Sequence, residues 1–230
     1  MGAAGYSYQT IAFTACLFTA SYLNHLCWTP PNPPPATRHP RDRAGWWPKL
    51  SFVRGLILSL WLYHAALALT YPMPPTLLCP YPQHLTASLF HWSRYTIVCL
   101  ALIFIGAPIR ILAFVQLGRN FTFQLARPKK LTKTGMYAYV RHPSYTGHVI
   151  VGLANVAMLQ RPSGVLGCWL PSRVVAWGET VFVIFFLVFT GLYLWGIGRR
   201  VSDEEDMLKE LGREWEIYQT KTKRFVPGIF

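Results

Sequence analysis

Two short stretches hold the residues able to do chemistry. The first is GMYAYVRHPSYTG, residues 135–147, where Tyr137, Arg141, His142, Ser144 and Tyr145 interrupt an otherwise apolar region. Proline pushes the residue before it out of the helical region but is well tolerated in a helix's first turn. A helix is therefore expected to open at Pro143 and run on through Val149, Ile150 and Val151. Unpaired backbone N–H groups at such an opening favour an anionic group. His142 is a candidate for proton transfer or, as often at a membrane edge, a structural residue.

The second stretch is RRVSDEEDMLKELGREWEIY, residues 199–218. Arg200 and Glu204 are four apart and share a face if the stretch is helical. Leu208, Leu211, Trp215 and Tyr218 continue an apolar stripe at three- and four-residue spacing, which predicts an amphipathic helix over 199–218. The bland alternative makes Arg199 and Arg200 membrane-edge anchors and Asp203–Asp206 a solvated acidic face. Four successive acids in a chain with only nine are easier to explain as partners of a cation.

The elements that must hold these stretches are apolar. Residues of hydrophobic type make up 52% of the chain and charged ones 13%, about half the charged share of soluble domains. The mean hydropathy of +0.26 agrees. The expected fold is all-α, a polytopic integral membrane protein of about five transmembrane helices with a cytosolic amphipathic C-terminal helix. The apolar runs are residues 11–28, 52–70, 95–117, 143–159 and 174–197, the fourth being short for a crossing. Asn24 and His25 are placed at the interface, and Gly106 and Pro108 are expected to kink the third run. The proline-dense residues 29–47 form an extended connector. There Arg38-His39-Pro40 repeats part of the later motif with no apolar helix behind it, and is read as loop. Two regions follow: 1–116, N-terminal helices with that connector, and 117–230, carrying both chemical stretches.

Charge sets the expected orientation. The connector, residues 118–141 and the tail from Arg199 are basic, while residues 72–91 contain no Lys or Arg. By the positive-inside rule the amino terminus is lumenal and the carboxyl terminus cytosolic, with both stretches facing the cytosol. Arg161 and Arg173 fall on the lumenal side, so spans four and five could instead form a shallow hairpin. The net charge of +13 would suggest nucleic acid in a soluble chain. Here the basic residues lie between apolar runs, where loop bias and anionic lipid account for them, and no nucleic-acid partner is expected. Cys16, Cys27, Cys79, Cys99 and Cys168 form no C-x-x-C pair and read as packing residues, neither a disulfide frame nor a metal site. Nothing basic precedes the first apolar run, so it is expected to remain as an anchor.

RHPSYTG preceded by GMY, with RVSDEEDMLKELGREWEIY about fifty residues later, resembles the isoprenylcysteine carboxyl methyltransferase family. The likeness covers roughly residues 117–230. It implies an S-adenosylmethionine-dependent enzyme of the endoplasmic reticulum membrane that methylates the C-terminal carboxylate of prenylated cysteine. Its partners would be prenylated CaaX-type proteins after proteolysis, and the lipid bilayer.

Carried over residue by residue, the resemblance assigns cofactor contacts to Lys129, Lys130, Leu131 and Thr132. Lys129 and Thr132 depart from the family's usual histidine and valine. Tyr137 matches the tyrosine of G-x-Y, and His142, Pro143, Ser144 and Tyr145 match the cofactor-binding part of RHPxY. Tyr137 and Tyr145 are candidates for the adenosine face and its rim. Glu204 matches the cofactor-binding glutamate. Arg200 matches the catalytic, substrate-binding arginine, whose fork suits a carboxylate. A carboxylate is already ionised at pH 7, so the reaction hardly needs a base, and His142 is expected to orient or pack cofactor. Alternatives are methylation of a phospholipid or other small molecule by a related membrane enzyme, and a non-catalytic membrane scaffold.

Overall fold

The computed structural model describes residues 7–35, 47–126 and 131–228, with residues 47–50 described by backbone alone. Its helices are α1 (Tyr8–Trp28), α2 (Trp47–Thr70), α3 (Arg94–Leu117), α4 (Pro143–Leu159), α5 (Ser172–Leu208) and α6 (Arg213–Lys221). Their beginnings follow local sequence rules. The Ser7 side chain caps α1 by accepting from Thr10 N at 3.1 Å. Ser93 and Thr96 form a reciprocal capping box at α3. Pro143 occupies the first turn of α4, with His142 in a non-helical conformation before it. Among the described residues there is no strand, only an isolated parallel bridge between Val140 and Lys223.

Helices α1 to α4 pack around one apolar cluster that includes Phe13, Leu17, Trp61, Leu100, Ile103 and Met158. Lipid tails are as apolar as these side chains, so close packing and interhelical hydrogen bonds must hold the bundle together. Both are present. A Cβ on Gly147 would lie 2.5 Å from Gly106 O, so α3 and α4 approach to a distance that any side chain there would prevent. Trp61 Nε1 donates to Asn155 Oδ1 at 2.9 Å, and Asn155 Nδ2 donates to Asn24 Oδ1 at 2.7 Å. Asn24 is therefore a buried link between α1 and α4, not an interfacial residue. Pro108 lies inside α3, which continues through it. By contrast α5 touches α4 only lightly and leaves most of its apolar surface exposed.

The five apolar runs all become helices, but only three of the described helical segments are long and apolar enough to cross a membrane: those containing α2, α3 and α5. Helix α4, at 17 residues, is roughly 25 Å long, below the ~20 residues a crossing requires. Helix α1 has sufficient length but carries Asn24 and His25 in its last turns.

Two further expectations are corrected. Cys79 and Cys168 form a disulfide with Cα atoms 4.7 Å apart. The pairing was hidden because the two cysteines are 89 residues apart in loops that only the packed bundle brings together. The second correction concerns residues 199–218, which are not one separate helix. Helix α5 is continuous from Ser172 to Leu208, the chain turns at Gly212 (φ 60°), and α6 follows. At ~1.5 Å per residue α5 is about 55 Å long, well beyond a ~30 Å hydrocarbon core.

Candidate active site

The bundle has two distinguishable ends. The disulfide joins the α2–α3 loop to the α4–α5 loop at one end. At the other, Asn32 after α1 donates to Gly118 O and Phe121 O after α3, both at 2.7 Å. The α4 entrance, the end of α5 and α6 gather beside that second group. A cavity of about 350 Å³ opens among them, within the size range of small-molecule sites.

Leu131, Thr132, Tyr137, His142, Ser144, Tyr145, Arg200 and Glu204 all line this cavity. Pro143 is buried beside it as the first residue of α4 and does not line it. Lys129 and Lys130 lie outside the described residues, as does Arg38-His39-Pro40. Arg200 and Glu204 are a turn apart near the C-terminal end of α5. Arg200 Nη2 donates to Phe123 O at 2.7 Å, tying α5 to the loop after α3. Tyr145 OH donates to Glu204 Oε2 at 3.0 Å, tying the same helix to α4.

The Gly135 turn sets the position of Tyr137. Its φ is 60°, and a Cβ there would meet the Gln116 amide at 2.6 Å. That amide accepts from Met136 N at 2.9 Å. Tyr218 OH in turn donates to Tyr137 O at 2.7 Å, joining α6 to the same wall. Burial pushes the Tyr218 phenol up to about 12, so it remains a donor across the physiological range.

Sequence reasoning missed the residue that organises the entrance to α4. Glu205 is 8% exposed, and His142 Nε2 lies 3.2 Å from its Oε1. Arg141 Nε donates to the same oxygen at 3.1 Å, and Arg224 Nη2 donates to Oε2 at 2.6 Å. Arg141 Nη1 also donates to Gln219 O and Thr222 O, at 2.7 and 2.8 Å. The backbone seals the arrangement: Arg141 N donates to Lys223 O, and His142 N to Arg224 O. The signature segment and the residues after α6 thus fold as one unit around a single carboxylate. The acidic run was the available signal, since a second acid beside Glu204 in an acid-poor chain invites a cationic partner.

Arg110 was missed entirely. It sits in α3 and lines the cavity, 5% exposed. Its Nε donates to Cys27 O at 2.9 Å, and its Nη1 to Ser144 O and Oγ at 3.1 Å each. Phe114 and Phe123 lie under the guanidinium at 4.8 and 5.4 Å. An arginine inside an apolar helix was the signal, since such residues are costly in a membrane and rarely idle.

The cavity therefore has a cationic side, an acid one helical turn from an arginine, and aromatic and apolar walls that include Trp215, Tyr218 and Leu208. It can hold a ligand with both positive and negative groups beside an apolar body. The sequence profile of the Isoprenylcysteine carboxyl methyltransferase (ICMT) family matches residues 98–181, which span α3, α4 and the start of α5. A probable protein-S-isoprenylcysteine O-methyltransferase of Oryza sativa subsp. indica is 31% identical over 64% of this chain and 71% of its own length. Proteins named protein-S-isoprenylcysteine O-methyltransferase from Dictyostelium discoideum and Schizosaccharomyces pombe are 25% and 30% identical over 62% and 61% of this chain. Against those two the chain spans about half the relative's length, 53% and 52%. Likeness to the rice protein, over most of that protein and at this identity, agrees with the two motifs meeting at one cavity: the chain belongs to the isoprenylcysteine carboxyl methyltransferase family.

Proposed function

We propose that this protein transfers a methyl group from S-adenosylmethionine to the C-terminal carboxylate of a prenylated cysteine, at the cytosolic face of the endoplasmic reticulum membrane. The observation that carries the reading is the convergence of Arg200 and Glu204 from α5 with His142 and Tyr145 from α4 on one cavity. These residue types fit the group. Glu204 offers a carboxylate to a cationic donor, Tyr137 and Trp215 offer aromatic faces to a nucleoside, and the volume suits a ligand of that size. When bound, S-adenosylmethionine supplies a methyl group on a sulfonium centre.

The chain's own residues then orient the reactants and exclude water. Arg200 steadies the acceptor carboxylate, which needs no base because it is ionised at neutral pH. Glu204, held by Tyr145 OH, steadies the donor's positive end. Opposite charges cancel as the methyl moves, so a cavity walled by Leu131, Leu208 and Trp215 favours the reaction by keeping water away. Fixing oxygen, methyl and sulfur in line supplies much of the remaining gain. His142, held beside Glu205, packs the entrance and moves no proton. The Leu131 and Thr132 segment closes the donor side, with Lys129 and Lys130 before it; Pro143 and Ser144 shape the α4 opening.

Orientation is supported from both ends. Arg119, Lys133, Arg141, Arg199 and Arg200 gather at the cavity end, as the cytosolic side requires. The Cys79–Cys168 disulfide marks the opposite end, and disulfides persist in oxidising compartments such as the lumen. Of the two cations that weighed against this, Arg161 and Arg173, the first is paired with Glu179. In this reading α1 and α4 complete a five-crossing bundle with α2, α3 and α5, and α6 lies at the cytosolic surface. Residues 117–230 supply most of the reaction chamber, while residues 1–116 support it and add Trp28 and Arg110 to its wall. Processed CaaX proteins would bring the lipid from the bilayer side. Membranes containing the protein, incubated with a prenylcysteine analogue and methyl-labelled donor, should yield a base-labile methyl ester. Absence of that ester in the presence of intact, donor-binding protein would overturn the assignment.

A further inference from the structure

Arg110 is more than a packing residue. Three of its hydrogen-bonding contacts fix it in place: Nε to Cys27 O, and Nη1 to both Ser144 oxygens. Two phenylalanine rings lie against it, at 4.8 and 5.4 Å. Its Nη2 makes no hydrogen bond among the described residues, and the residue lines the cavity. No carboxylate pairs with it among those residues either. Phe123 connects it to Arg200: the ring lies 5.4 Å from the Arg110 guanidinium, and the carbonyl accepts from Arg200.

The charges of the cavity wall sharpen the point. Arg110, Arg141, Arg200 and Glu204 are the charged residues lining it among those described, and Arg141 is paired with Glu205, which also holds Arg224. Besides Arg141, the wall among the described residues thus carries two guanidiniums and one carboxylate. If the function proposed above holds, on which this inference rests, the ligands bring the complementary set. The acceptor carries one carboxylate, and the donor carries another together with its positive groups. A buried cation without an anionic partner is costly, and a rigid guanidinium fork is suited to meeting one.

We infer that Arg110 is a ligand-binding residue: its unused guanidinium edge receives a carboxylate, that of the donor's amino-acid end or that of the acceptor, while Arg200 takes the other. The other contacts of Arg110 make it a clamp joining the end of α1 and the opening of α4, so the site is set up before ligand arrives.

The test pairs each ligand with its decarboxylated counterpart. Calorimetry on the full chain in detergent would measure S-adenosylhomocysteine against its decarboxylated analogue. With the nucleoside bound, it would measure N-acetyl-S-farnesylcysteine against N-acetyl-S-farnesylcysteamine. If Arg110 meets the donor carboxylate, Arg110→Met weakens S-adenosylhomocysteine by roughly 10- to 100-fold and leaves the decarboxylated analogue unchanged. If it meets the acceptor, the same pattern appears in the farnesyl pair. Arg110→Lys, which keeps the charge but not the fork, should show a smaller loss confined to the same ligand, and it supplies the comparison should Arg110→Met fail to fold. Equal losses for both members of each pair, or no loss in either, would overturn the inference. A wild-type chain that binds neither nucleoside overturns the methyltransferase reading itself, and this inference with it.

Discussion

The two ends of the bundle solve opposite problems. At the disulfide end, the chain is tied down and its acid, Glu179, is fully engaged. Cys79 is bonded to Cys168, His84 contacts Gly167 O and Ser172 Oγ, and Glu179 takes Arg161 along with the Ser163 N–H and hydroxyl. At the cavity end the same chemistry is divided between two adjacent acids. Glu205 is consumed by three cationic or imidazole partners and fixes the local fold. Glu204 accepts from a tyrosine hydroxyl and faces a cavity with arginines on its wall. Satisfied polar groups stabilise a structure, whereas groups left facing a cavity equip it for a ligand. The comparison assigns stability to one end and to Glu205, and reactivity to Glu204, Arg200 and Arg110.

Substitutions can break that division. The largest effect is expected at Arg200: Arg200→Ala should lower kcat/KM for a prenylcysteine acceptor by about 100- to 1000-fold while S-adenosylhomocysteine still binds, since truncation there removes a charge-assisted contact. Methyl ester formation and calorimetry measure the two quantities. Glu205→Ala should behave differently from Glu204→Gln. It strands Arg141 and His142 in a buried setting, so a stability loss of about 3 kcal/mol is expected in thermal unfolding, with donor binding falling as a consequence. Glu204→Gln should weaken donor binding with little change in Tm; equal Tm losses in the two variants would erase the distinction between the acids.

At the opposite end, Cys79→Ser should cost roughly 2–4 kcal/mol of stability, as expected for opening a long closed loop, and leave kcat/KM almost unchanged at assay temperature. A large activity loss in a folded Cys79→Ser protein would show that the two ends are coupled. The smallest effect is expected in the bundle between them. Asn155→Ala breaks the bonds to Trp61 and Asn24 and should cost about 1 kcal/mol, within the range of interhelical hydrogen bonds in membranes.

Much of the helix layout was legible in the residues. Pro143–Leu159 matches its helix residue for residue, and the third run begins and ends within a residue of α3. Hydropathy, a capping serine and a proline in the first turn act over a few neighbours, so sequence alone carries them. The end of α5 was not legible in the same way. The apolar run stops at Ile197 but the helix does not, because Arg199 to Leu208 has ordinary helix-forming residues and nothing to break it before Gly212. Asn24 shows the same limit in reverse: a polar residue near a helix end reads as interfacial unless Asn155, 131 residues away, is known to bond it.

By itself the sequence determined an all-helical chain with its apolar segments in place, a proline-led helix entrance, and an arginine and glutamate a turn apart on one helix face. Those follow from spacing and local conformation. Only the tertiary structure decided that the two stretches share one cavity, that Glu205 and not Glu204 holds the entrance together, that Cys79 meets Cys168, and that Arg110 reaches the chamber from the middle of an apolar helix. Each of these depends on residues dozens of positions apart being brought within a few ångströms, and neither composition nor periodicity encodes which distant partner a side chain will meet.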